Sequence, residues 1–145
     1  MSGRAGWCVR YRWPAALTDN QGMAKTVAVV GASSDRSKFG NKAVRAFQAE
    51  GYTVIPINPN ERTVEGLTAY ASVRDVPGPI DMATVYVQPE VAGQLLDEFD
   101  EKQIPEVWFN PGADSDELMA AARNRTFKAI FACSIVGIGR SPYQF

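Results

Sequence analysis

The stretch Gly31-Ala32-Ser33-Ser34-Asp35-Arg36-Ser37-Lys38-Phe39-Gly40 gathers residue types that hold an anion. A glycine lets the backbone turn sharply, and free N–H groups at a helix start, with the helix dipole behind them, bind phosphate. Ser33 and Ser34 add hydroxyl donors; Arg36, Lys38 and Lys42 add positive charge. The same small residues suit any tight turn from a strand into a helix, so spacing alone leaves both readings open. The loop does not fit G-x-x-x-x-G-K-[ST], which argues against P-loop nucleotide hydrolysis, and it does not fit G-x-G-x-x-G. A dinucleotide enzyme also wants an acid at the end of the second strand to hold a ribose diol. Here that end reads Pro56-Ile57-Asn58-Pro59, with Glu61 further on.

The residue counts exclude other chemistry. The 145 residues contain no histidine, which removes the Ser-His-Asp and Cys-His constellations and any phosphohistidine. Only Cys8 and Cys133 are present; they make neither a disulfide framework nor a zinc site, and they fit a reducing cytoplasm. No catalytic constellation and no metal cluster is legible. Lys plus Arg is 15 against 16 for Asp plus Glu, without the basic excess of a nucleic-acid binder. No run approaches the ~20 apolar residues that span a bilayer. At 46% hydrophobic and 21% charged, the chain is expected to fold as one globular domain.

The elements that position the loop follow from hydrophobic spacing. Thr26–Val30 is a short apolar run ended by Gly31, as in a strand buried on both faces. A helix is expected from Phe39 to Glu50, with Phe39, Ala43 and Phe47 on one face and Gly51 as its cap. Strands follow at Tyr52–Ile57, weakly at Leu67–Tyr70, at Asp81–Val87, at Glu106–Phe109 and at about Phe127–Ala132. Asp81 is expected to cap a turn, and Arg74–Pro79 to be a turn. A second helix starts at Pro89, with Val91, Leu95 and Phe99 on its inner face. A third is capped by Asp114 with Glu117 three residues on, and closed by Arg123 and Arg125. Strands alternating with helices predict an α/β fold. It is a doubly wound, mostly parallel sheet of five or six strands with helices on both faces. Ligands then sit beyond the carboxyl ends of the strands, near the switch in strand order. The segments Gly31–Gly40, Asn58–Asn60, Gln88–Pro89 and Asn110–Gly112 should converge there.

Six segments in order carry a resemblance. They are Val27-Ala28-Val29-Val30-Gly31-Ala32-Ser33; Lys38-Phe39-Gly40-Asn41; Gly51-Tyr52 with Val54-Ile55-Pro56-Ile57-Asn58-Pro59; Gly66-Leu67 with Tyr70; Asp81; and Val107-Trp108-Phe109-Asn110-Pro111-Gly112-Ala113. Together, over about Met23 to Val136, the chain resembles the small stand-alone CoA-binding domain proteins. These are similar to the CoA-binding Rossmann domain of succinyl-CoA synthetase alpha subunits. The resemblance implies a single Rossmann-like domain at 23–145 that binds coenzyme A or an acyl-CoA without catalytic machinery of its own. It implies that Gly31, Ala32, Ser33, Ser34, Phe39 and Gly40 cradle the pyrophosphate, with Arg36 and Lys38 both open as phosphate partners. Asn58 and Pro59 would lie against the adenosine ribose and its 3′-phosphate. Val87, Gln88 and Pro89 would flank the adenine and upper pantetheine, and Asn110, Pro111 and Gly112 would border the pantetheine arm. Synthetase activity does not carry over, because the phosphorylated histidine and its domain are not in this chain. Gln88 also departs from the small, apolar or Arg residue of many relatives. The rival readings are an NAD(P)-type dinucleotide binder and the CoA-binding subunit of a split acyl-CoA synthetase. A homodimer or an enzyme partner fits the first reading.

Other features have plainer readings. Residues 1–22 contain Trp7, Trp13 and three arginines without periodicity; they read as a poorly ordered extension, or as a partner-binding arm, and not as a signal peptide. Cys133 is expected to be structural rather than a thiol partner of the ligand, and Trp108 to belong to the core. The run Asp97, Glu98, Asp100, Glu101 reads as a solvated helix end. The tail Ser141–Phe145 could dock on the fold or on a second subunit.

Overall fold

The computed structural model describes residues 24–145; the extension read at 1–22 lies outside the described residues. Five strands form one sheet: β1 (Thr26–Val30), β2 (Thr53–Ile57), β5 (Met82–Val85), β6 (Glu106–Phe109) and β7 (Lys128–Phe131). Their spatial order is β2-β1-β5-β6-β7 and every neighbouring pair is parallel. Between β2 and β5 the chain makes a small antiparallel hairpin, β3 (Thr63–Val64) and β4 (Leu67–Thr68). The helices are α1 (Phe39–Ala49), α2 (Pro89–Glu101), α3 (Asp116–Ala122) and a single turn α4 (Ser134–Gly137). The chain is therefore the Rossmann-like doubly wound fold expected from its alternation of elements.

The continuous apolar run of β1 follows from cover on both faces. Val27 and Val29 pack with Ala43, Val44 and Phe47 of α1 and with Ile135 of α4. Ala28 and Val30 point the other way, into a cluster with Leu96 and Phe99 of α2 and Leu118 of α3. Alternate residues face opposite layers, so both layers must be apolar. Phe47 is wholly buried, which stabilises the fold by about 1.5–3 kcal/mol. At the amino ends of the strands, the Thr26 N–H donates to Asp81 Oδ2 at 2.7 Å and the Asp81 N–H to the Thr26 carbonyl at 2.9 Å. Asp81 thus ties the start of β1 to the start of β5 across the sheet, rather than capping a turn as expected.

Several elements differ from the sequence reading. The third helix is capped by Ser115, whose Oγ accepts from the Leu118 N–H at 3.1 Å, and not by Asp114. The Asp114 carboxylate instead turns back to the Gly112 N–H at 3.2 Å. Arg125 does not close that helix; it reaches Asp97 and Asp100 of α2 at 2.5 and 3.0 Å. Asp100 also accepts from the N–H and the hydroxyl of Thr126, so part of the acidic run anchors the chain ahead of β7. The buried face of α2 is Ala92, Leu96 and Phe99, while Val91 is 44% exposed. The expected turn near Arg74 contains a 3-10 turn at Val73–Asp75 capped by Ser72. The tail docks on the fold: Phe145 packs against the α1 layer, with the Arg45 guanidinium 5.9 Å from its ring centre.

Two glycines separate a structural need from mere tolerance. A Cβ on Gly40 would lie 2.2 Å from the Gly31 carbonyl oxygen, whereas one on Gly93, inside α2, would meet nothing within 4 Å. Gly40→Ala should cost about 2–4 kcal/mol through forced overpacking of backbone on backbone. Gly93→Ala should gain about 0.5–1 kcal/mol of helix propensity. Urea unfolding of the two variants measures both signs; equal effects would show that the α1 start is not so tightly seated.

Candidate functional site

The order β2-β1-β5 places the switch in strand order at β1, with β2 added on one side and β5 on the other. Beyond the carboxyl ends of these strands lie two cavities. One, of about 420 Å³, is lined by Gly31, Ser33, Lys38, Phe39, Gly40, Asn58, Tyr86, Val87, Gln88, Pro111, Gly112 and Ala113. The other, of about 330 Å³, lies on the α2 side and includes Val30, Ile57, Pro59, Ser72, Val91, Leu95 and Glu98. Gly31, Asn58 and Val87 line both, so the two form one bent crevice around the end of β1.

The loop from β1 to α1 is held from below. The N–H groups of Gly31 and Ala32 both donate to the Ile57 carbonyl, at 3.0 and 3.3 Å. Asn58 Nδ2 donates to the Ala32 carbonyl at 2.8 Å, and Asn58 Oδ1 accepts from the Asn60 N–H at 2.7 Å. Asn41, wholly buried in α1, donates through Nδ2 to the Ser33 carbonyl at 2.8 Å and to Glu65 at 2.9 Å. Gly31 takes φ +90°, and a Cβ there would come within 3.1 Å of the Tyr86 backbone. Only glycine lets the ends of β1 and β5 approach so closely.

The remaining loop groups sort into occupied and open. Glu61 accepts from both the N–H and the hydroxyl of Ser34, at 2.8 and 2.7 Å; these bonds hold its carboxyl below the usual glutamate range. Glu65, in the hairpin turn at φ +50°, takes Asn41 and pairs with Arg36 at 3.3 Å. Its carboxyl is likewise lowered, first by Asn41. Asp35 accepts from the hydroxyl and N–H of Ser37, which lowers it. Among the described residues, the N–H groups of Ser33, Phe39 and Gly40 meet no acceptor, and no side chain caps α1. The three residues line the larger cavity together with Lys38, which makes no ion pair among the described residues.

The wall under Gln88 and Pro111 is a buried hydrogen-bond network. Thr84 and Ser134 share a bond of 2.6 Å, and Asn110 Nδ2 donates to Thr84 at 2.6 Å and to the Val85 carbonyl at 3.0 Å. The Ser134 N–H donates to Asn110 Oδ1 at 2.8 Å, and the Tyr86 hydroxyl lies 3.1 Å from Ser134 Oγ. Burial pushes the Tyr86 phenol up to about 12, against the opposing bond from Ser134. Asn110 is 1% exposed, so it ties β5, β6 and α4 together and faces away from the crevice.

Of the residues singled out in the sequence, ten line the larger cavity: Gly31, Ser33, Lys38, Phe39, Gly40, Asn58, Val87, Gln88, Pro111 and Gly112; Pro59 lines the smaller. Ala32 is wholly buried beneath the loop. Ser34 and Arg36 are engaged by Glu61 and Glu65, and Pro89 starts α2 behind Gln88. Sequence reasoning misses Tyr86 and Ala113, together with the α2-side wall of Ser72, Val91, Leu95 and Glu98. The only signal for the latter is the Val91, Leu95, Glu98 stripe on α2, which reads as core and solvent face. Trp108 is half-buried against Gly137, and Cys133 precedes α4 without lining either cavity. Among the described residues, no group of acids and cysteines could hold a metal, and no helix is long and apolar enough to cross a membrane.

Comparison with known proteins adds a family. A family model described as "CoA binding domain" matches residues 25–138. An uncharacterised protein of Bacillus subtilis, YneT, is 32% identical over 94 residues, 65% of this chain and 70% of that protein. The alpha subunit of an ADP-forming acetate–CoA ligase II from Pyrococcus furiosus is 37% identical over 79 residues. That match takes in 54% of this chain but only 17% of the ligase subunit. Among solved structures, a conserved hypothetical protein from Pyrococcus furiosus superposes with a TM-score of 0.72 at 34% identity, covering 77% of this chain and 97% of that one.

The Glu61–Ser34 contact makes a prediction about pH. A carboxyl lowered in the folded state adds stability that is complete above its unfolded pKa and is lost as pH falls through the folded one. In a carboxyl NMR titration, Glu61 should titrate below the ordinary value of 4.5, and the Ser34 amide shift should follow it with the same midpoint. A Glu61 midpoint at or above 4.5 would mean that the loop is not tied in solution.

Proposed function

This chain belongs to the CoA-binding domain family, and on that premise we propose that it is a small coenzyme A- or acyl-CoA-binding protein without catalytic groups of its own. The observation that carries the reading is the bent crevice, with amides and Lys38 in its larger part and an aliphatic smaller part, joined at Gly31, Asn58 and Val87. A ligand with a charged pyrophosphate between a flat base and a long polar arm matches that division. The open amides of Ser33, Phe39 and Gly40, with Lys38, take the pyrophosphate. The Ser33 hydroxyl accepts from the Asp35 N–H at 3.0 Å and keeps its own proton for a phosphate oxygen. Arg36 is committed to Glu65, so Lys38 is the cation of the two. Adenine enters the aliphatic part against Val87, with the ribose and 3′-phosphate by Asn58 and Pro59. The pantetheine arm leaves along Gln88 and the Pro111–Gly112 turn.

The dinucleotide alternative has less support. Both ends of the Asn58 amide are used within the fold, and the Glu61 carboxylate is turned onto Ser34. No acid is therefore left at the end of β2 to hold a ribose diol. The ligase-subunit reading has one observation in its favour, the relative named as an alpha subunit. On it, this chain would present CoA to a partner that supplies the reacting groups, and the partner would co-purify.

Calorimetry with CoA and NAD at matched salt tests the reading. CoA should bind at micromolar concentration and NAD at least tenfold more weakly. Lys38→Ala should cost about tenfold or more in CoA affinity, the worth of a charge-assisted hydrogen bond. Arg36→Ala should cost much less. Ser33→Glu, which brings a like charge to the phosphate position, should abolish measurable binding. NAD binding without CoA binding would overturn the assignment, and equal losses for Lys38→Ala and Arg36→Ala would overturn the choice of cation.

A further inference from the structure

The aliphatic cavity has one charged group in its wall that the loop does not account for. Glu98 lines it from α2, together with Val91 and Leu95. Seven residues separate Glu98 from Val91, so it lies about 10 Å further along α2 on the same side of the helix. Its orientation is fixed. Ser72 Oγ accepts from the Arg74 N–H at 3.0 Å and spends its one proton on Glu98 Oε1 at 2.6 Å. Arg74, the nearest cation in that turn, directs its Nε to Glu101 at 2.7 Å. Among the described residues, Glu98 Oε2 therefore meets no donor. A carboxylate is an acceptor only, and as the one charged group in the wall of this cavity it selects a ligand edge that donates.

We propose that Glu98, held by Ser72, reads the exocyclic amino group of the adenine and so sets the base preference of this crevice. This rests on the coenzyme A reading above. Asn58, Val87 and Glu98 line one cavity, so with the ribose at Asn58 and the base against Val87 a purine laid toward α2 turns its six-position edge to Glu98. An amino group there donates one N–H to the open oxygen. A base without it displaces water from the carboxylate oxygen and offers no donor in return, which costs affinity. Val91, Leu95 and Val87 supply area to any flat base and do not discriminate. Glu98 is thus a specificity residue that neither the loop nor the strand-end motifs would reveal.

The test compares CoA with its 6-desamino analogue, which carries purine in place of adenine, on the full chain by calorimetry. Wild type should prefer CoA about tenfold or more. Glu98→Ala should bring the ratio to within about threefold of unity, mainly by weakening CoA. Glu98→Gln, whose amide oxygen can still accept, should fall between the two. Ser72→Ala keeps the carboxylate, frees its direction, and should lower the ratio less than Glu98→Ala does. A wild-type ratio near one, or a Glu98→Ala protein that melts normally and keeps the wild-type ratio, overturns the inference while leaving CoA binding intact. Failure of wild type to bind either ligand overturns the underlying reading, and the inference with it.

Discussion

The first turn of α1 rests directly on the end of β1, backbone against backbone, and the geometry of the crevice depends on that contact. There is room for nothing larger than hydrogen on Gly40 over the Gly31 carbonyl. The seating brings the first turn of α1, with its uncapped amides, to the edge of the larger cavity. Gly31 plays the complementary part by turning at φ +90° against the backbone after β5. Moving either residue out by the radius of a methyl group would separate α1 from β1, with Asn41 and its bonds to Ser33 and Glu65. The short connection, the buried asparagine and the open amides form one unit.

The acids of the β2–β4 region act on that unit as struts. Glu61 and Glu65 come from a segment with little regular structure, yet their carboxylates end on Ser34, Arg36 and Asn41. Glu65 holds a left-handed backbone that side chains avoid, and its two partners offset that strain. The struts also divide the positive charge of the loop. Arg36 is neutralised where it stands, and Lys38 is left to face the cavity. A local count of cations treats the two alike; the hairpin makes them different.

The fold is legible in the sequence because its signals are long and independent. The apolar run of β1, the Phe39-Ala43-Phe47 spacing of α1 and the proline opening α2 each predict one element, and the alternation predicts the parallel sheet. The strand ends are legible for the same reason, since a doubly wound sheet brings Gly31, Asn58, Val87 and Pro111 to one edge wherever the strands end. What stays hidden depends on contacts across the chain. The cap of α3 falls on Ser115 rather than Asp114 because the Gly112 turn claims the aspartate. The two-residue strand β3 is too short to carry a period. Val91 looks like core because it shares a helical face with Leu95, but the face of α2 that meets the sheet is turned toward Ala92 and Leu96. Asn110 carries a residue type suited to a ligand, yet the Thr84 hydroxyl and the Ser134 N–H hold it inside.

The polar groups around the crevice share one property that bears on what it can do. Glu61 and Glu65 are held in the ionised state by donors, and the Tyr86 phenol is pushed up to about 12 by burial. At neutral pH their protonation is therefore fixed, with the acids charged and the phenol neutral. Proton transfer works best when a group titrates near the working pH. Fixed charges meet a ligand's own charge without having to reorganise. The glycine contact seats the amides, the acid struts leave Lys38 as the facing cation, and the Asn110 network stiffens the opposite wall. These three features bring a preorganised field to one end of the sheet. The aliphatic slot beside it adds area to that field, and Glu98 adds direction.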